Sequence, residues 1–80
     1  MRNTLDSKIR NTISDNIRYL LQKNNMSQSA LAIEIDKSVA QVNSLINGRG
    51  TPTLEFIIDV CKYFNITVDT ILFENIGENN

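Results

Sequence analysis

The side chains able to do chemistry in this 80-residue chain are of the kind that bind, not the kind that make or break bonds. It has no histidine, and no nucleophile stands at a suggestive spacing from a base. Gly48 and Gly50 end a helical stretch instead of opening one, so no phosphate-cradling loop is present. Cys61 is the only cysteine, which excludes an internal disulfide and, without histidine, removes the usual zinc ligands. A free cysteine can sense redox state, but it also packs as a small hydrophobe. No catalytic residue, metal ligand or cofactor-binding residue is assigned. No cofactor is expected and no small-molecule ligand is evident.

Charge is distributed more tellingly than its total. A net charge of -1 argues mildly against a nucleic-acid partner, because such domains usually carry a basic excess. Residues 1–49, however, hold seven Lys and Arg against four Asp and Glu, whereas residues 50–80 hold one against five. This polarity suits a molecule whose first half faces an anion, although totals this small also differ by chance.

The elements that position these groups follow from composition and periodicity. With 41% hydrophobic and 21% charged residues the chain should fold, and its length supports a single core. No apolar run approaches the roughly 20 residues of a membrane span, and the N-terminus lacks a signal-like apolar region. A cytoplasmic protein without a membrane partner is the expectation.

Leu5, Ile9, Ile13, Ile17, Leu20 and Leu21 recur at spacings of three and four, predicting a helix that ends near Asn24. Ser14 and Asp15 are candidate caps for a later start, so residues 1–11 either extend this helix or form an arm. Ser27 predicts the N-cap of a short second helix bearing Ala30, Leu31, Ala32 and Ile35. Asp36 and Lys37 make a turn, and Ser38 with Gln41 forms a Ser-x-x-Gln capping box for a third helix through Val39, Val42, Leu45 and Ile46. Asn47 and Gly48 end it, both tolerating left-handed backbone, and Pro52 prevents its resumption. Thr53 caps a fourth helix with apolar positions Leu54, Ile57, Ile58, Cys61 and Phe64, and Asn65 is a left-handed stop. Thr67 caps a last helix with Val68, Ile71 and Leu72. The domain is therefore expected over 12–74, with a polar tail at 75–80 that frays. No convincing strand pattern appears.

Two short helices joined by a tight turn, Ser27 to Ile35 and Ser38 to Ile46, have the length and order of a DNA-reading helix-turn-helix, although helical hairpins in general share that spacing. The residues go further. The runs Asn16-Ile17-Arg18-Tyr19-Leu20 and Met26-Ser27-Gln28-Ser29-Ala30-Leu31-Ala32, then Ser38 through Asn47-Gly48, Pro52, Thr53-Leu54-Glu55 and Phe64 to Phe73, resemble the phage-repressor-like helix-turn-helix family of bacteria and phages. The resemblance covers residues 13 to 73 in one register without an insertion. It implies an all-α, five-helix, lambda-repressor-like fold that binds double-stranded DNA as a transcriptional regulator, with the helix at 38–46 in the major groove.

By that resemblance Val39, Ala40, Gln41 and Ser44 lie nearest base edges, with Asn43 flanking them. Gln can pair with adenine, whereas Val and Ala can meet only apolar surface such as a thymine methyl. Gln41 can equally fold back onto the Ser38 amide, and Val39 and Ala40 can be ordinary exposed residues or part of a protein contact. Ser27, Gln28, Lys37, Ser38, Asn47 and Arg49 are the candidates for phosphate contact, the second helix presenting its positive dipole end at Ser27 and Gln28. As solvated surface residues they would read the same.

Departures from the family are informative. Asn25, Asp36 and Asn65 stand where relatives often have glycine, and Asn and Asp are the side chains that best tolerate positive φ. Leu21 and Ile46 replace an Arg and Glu ion pair, suggesting an apolar link between the first and third helices. Cys61 falls at a small buried position. Phe56, Ile33 and Tyr63 replace polar residues, which predicts apolar surface for a dimer interface or for partial burial under the N-terminal segment. A homodimer on two half-sites is the leading expectation, with a protein-interaction module of the same fold as the alternative.

Overall fold

The computed structural model describes residues 7–79. Five α-helices follow one another, α1 Ser7–Lys23, α2 Gln28–Glu34, α3 Val39–Ile46, α4 Leu54–Phe64 and α5 Val68–Phe73, with a 3-10 turn at Ile76–Asn79. No strand occurs among the described residues, and the all-α, five-helix expectation holds. Residues 7–11 continue α1 as a helical extension, whereas Leu5 lies outside the described residues.

The helix boundaries are set by side chains that answer the unpaired amides and carbonyls of each end. Ser27, Ser38, Thr53 and Thr67 each accept from the backbone N–H three residues on, at 3.0 or 3.1 Å. At the other ends the chain turns through left-handed backbone at Asn25, Asp36, Gly48 and Asn65, with φ of 58°, 59°, 73° and 58°. Each such residue donates to the carbonyl three back, and the next residue donates to the carbonyl five back, as in Asp36 N–H to Ile33 and Lys37 N–H to Ala32. This Schellman closure requires positive φ at one residue, and glycine, Asn and Asp are what the sequence supplies there. Asn47 keeps φ at -90°, so Gly48 alone makes the turn after α3.

The core joins Ile13, Ile17 and Leu21 of α1 to Leu31 and Ala32 of α2, Val42, Leu45 and Ile46 of α3, and Phe56, Ile57, Val60 and Cys61 of α4, with Ile71 below. Leu21 and Ile46 are both buried in this one cluster, where an ion pair would have needed desolvating. Two expectations for α4 are corrected. Phe56 is 1% exposed and belongs to the core, while Leu54 and Ile58 point outward at 67% and 38% exposure. Glu55, Asp59 and Lys62 mark one side of α4, and the apolar arc that remains is wider than the buried face, so periodicity alone leaves the edges of that face open.

Asn16 is a buried polar side chain within the α1 stripe. Its Nδ2 donates to the Ile71 and Glu74 carbonyls at 2.9 and 2.7 Å, and its Oδ1 accepts from Ile76 N–H at 3.0 Å. Where the sequence suggests a frayed tail, this amide draws residues 76–79 into one further turn against α1.

Candidate nucleic-acid interface

The second and third helices are built to leave one part of α3 outside. Its buried side chains are Val42, Leu45 and Ile46, at the spacing of one helical face. Val39, Ala40 and Gln41, in the first turn, are exposed, and Asn43 and Ser44 are half-buried. α1 holds the other end. The Ser14 hydroxyl donates to the Leu45 carbonyl and the Arg18 guanidinium to that of Ile46, with Asp15 steadying Arg18 at 3.1 Å. The last carbonyls of α3 are thus satisfied from within the protein, and its first turn is presented to solvent. Ser14 read in the sequence only as a candidate cap, and Arg18 carried no role. A hydroxyl and a cation on the flank of an apolar stripe were the available signal.

The structure places the six phosphate candidates around this turn in different states. Ser27 and Ser38 use their side-chain oxygens as caps. Ser38 and Gln41 complete the capping box, with Ser38 N–H donating to Gln41 Oε1 at 3.3 Å, so Gln41 takes the folded-back arrangement in the free protein. Gln28, Asn43 and Arg49 form a chain: Arg49 Nη2 donates to Asn43 Oδ1 at 3.3 Å, and Asn43 Nδ2 donates to Gln28 Oε1 at 3.1 Å. Asn47 Nδ2 donates to the Asn43 carbonyl at 2.9 Å.

Lys37 is drawn elsewhere. Its ammonium lies 3.1 Å from Glu55 and 3.6 Å from Asp59, both on α4. The hydrogen bond it donates to Glu55 raises its pKa above the ordinary lysine value against a smaller opposing effect of burial, so it stays a cation tied to two carboxylates. Of the two flanking cations, Arg49 is the exposed one.

Between the exposed face of α3 and the loop leading to α4 lies a groove of about 260 Å³, lined by Ala40, Gln41, Ser44, Arg49, Pro52 and Phe56 among others. An α-helix of about 10–12 Å diameter matches the roughly 12 Å width of a B-DNA major groove. The arrangement can lay the first turn of α3 against base edges while Gln28 and Arg49, joined through Asn43, serve the backbone.

Among the described residues no group of three or more His, Cys, Asp and Glu is placed to hold a metal, and no helix is long and apolar enough to cross a membrane. Cys61 is buried, its thiol 3.7 Å from the Thr67 carbonyl, and desolvation raises its pKa. That setting favours the protonated thiol and the packing role over reactivity.

Comparison with curated proteins and with solved structures finds no match. A family model described as Helix-turn-helix matches residues 17–71, from within α1 to within α5 and well over half of the chain. With its α2–turn–α3 unit and a third helix held outward by its neighbours, the chain belongs to the phage-repressor-like helix-turn-helix family of DNA-binding regulators, which is not a family of enzymes.

Proposed function

We propose that this chain binds double-stranded DNA sequence-specifically, as a small bacterial or phage transcriptional regulator that represses where its site overlaps a promoter. The observation that carries the reading is the exposed first turn of α3, backed by a buried face and followed by Asn43, which Gln28 and Arg49 meet. Val39, Ala40, Gln41 and Ser44 are the base-contact candidates. Ser27, Gln28, Asn47 and Arg49 serve the backbone, and Lys37 is held back by α4. Two copies reading half-sites about one helical turn, roughly 34 Å, apart would give an approximately palindromic operator.

A second reading, a protein-interaction module of the same fold, is favoured by apolar exposure: Ile33 is 78%, Leu54 67%, Phe73 65% and Val39 45% exposed. Titration of a random duplex pool by fluorescence anisotropy at two salt concentrations, with sequencing of the retained fraction, separates them. Salt-sensitive binding that enriches a two-fold-symmetric motif is the expected result. Absence of binding at low salt would transfer the role to the protein-interaction reading.

A further inference from the structure

We propose that Asn43 positions a backbone-contacting residue and does not read bases, acting through a one-way hydrogen-bond chain from Arg49 to Gln28. The proposal rests on the DNA-binding reading above.

The direction of the chain is fixed at one end. A guanidinium has donors and no acceptor, so the Asn43 atom facing Arg49 must be the carbonyl oxygen Oδ1, at 3.3 Å. That turns Asn43 Nδ2 toward Gln28, and an amide nitrogen only donates, so Gln28 must present Oε1, at 3.1 Å. Gln28 is left with its Nε2 end, two hydrogens and no lone pair. Only an acceptor can satisfy that end, and a phosphate oxygen is one. Without the chain a glutamine amide has little reason to prefer either orientation, and the flipped form would aim a carbonyl oxygen at the phosphate. Arg49 removes this degeneracy through Asn43. The bond from Asn47 to the Asn43 carbonyl, at 2.9 Å, steadies the same turn of α3. Asn43 is half-buried with both ends of its amide engaged, whereas Val39 and Ala40 are exposed in the first turn.

The test is a double-mutant cycle on the full chain with Asn43→Ala, Gln28→Ala and the pair, read by anisotropy on a duplex selected from a random pool and on its single-base variants. Each single substitution is expected to weaken binding about tenfold, the scale of one hydrogen bond to a charged group. The loss should be equal on every duplex. In the Gln28→Ala background, Asn43→Ala should cost less than about twofold, because the residue it positions is gone. A purely structural role would weaken both backgrounds alike, so additive losses overturn the proposal. So does a change in base preference at one position on Asn43→Ala. Asn43→Asp is the second variant: aspartate holds Arg49 but cannot donate to Gln28, so it should lose more affinity with Gln28 present than with Ala at 28, the added charge being common to both. Failure of the unaltered chain to bind any duplex at low salt would overturn the DNA-binding reading itself, and is told apart by that control.

Discussion

Arg49 and Lys37 flank the same helix with the same charge, yet the structure predicts opposite behaviour on DNA. Arg49 is exposed and its guanidinium donates to Asn43, while the Lys37 ammonium sits on Glu55 and Asp59. A cation that neutralises one phosphate contributes about 0.9 to the slope of log affinity against log salt. Across a fourfold change, from about 50 to about 200 mM salt, that is a factor of about 3.5 in affinity. Arg49→Ala should therefore lose about 3.5-fold more affinity at the lower salt than at the higher. Lys37→Ala should lose the same factor at both, because its charge is already spent on α4. The assay is anisotropy titration of one selected duplex with the unaltered chain and both variants at four or five salt concentrations. If Lys37→Ala flattened the slope as much as Arg49→Ala, the ion pairs would not hold Lys37 away from the backbone in the complex. The separation of the two cations drawn above would then be wrong.

Three further outcomes follow from the same contacts. Asn16→Ala strips partners from the Ile71 and Glu74 carbonyls and from Ile76 N–H, and should cost about 2–4 kcal/mol in urea unfolding, a large share of the stability of a chain this size; a loss below about 1 kcal/mol would mean that water replaces the amide. Ser38→Ala should cost about 1 kcal/mol by removing the cap of α3, with Gln41→Ala costing less because it removes only the longer, 3.3 Å arm of the box. Should Gln41→Ala leave stability untouched and yet shift base preference, Gln41 leaves its cap to read DNA. Burial raises the Cys61 thiol above its ordinary value of 9.0, so the folded chain keeps a proton that the unfolded chain gives up. The stabilisation is whole below that value and is lost as pH climbs through it, so the urea midpoint of the unaltered chain should fall more steeply in alkaline solution than that of Cys61→Ala; parallel curves would count against a buried thiol.

Local structure was legible because its causes are local. The N-caps of α2 to α5 are Ser or Thr whose oxygen reaches an amide three residues on, and each left-handed closure needs a residue free of a β-carbon penalty or tolerant of it. Ser27, Ser38, Thr53 and Thr67 could be read for the first purpose, and Asn25, Asp36 and Asn65, from their departure from glycine, for the second. Those interactions span three to five residues, so neighbouring sequence is enough to specify them.

Everything that depended on which surfaces meet had to wait for the tertiary structure. α4 carries an apolar arc wider than the face it buries, and only packing into the shared core decides that Phe56 and Val60 go inside while Leu54 and Ile58 stay out. Lys37 reads as a free cation beside the recognition helix until Glu55 and Asp59, a helix away, are brought within reach of its ammonium. That Asn43 has Gln28 and Arg49 as partners could not be read until α2 and the loop after α3 brought them to it. The role of Asn16 emerges only when the chain returns 55 to 60 residues later with the carbonyls and amide that it binds. Periodicity and capping report the angle of a side chain about its own helix axis, and they carry no information on what a distant segment will place opposite it.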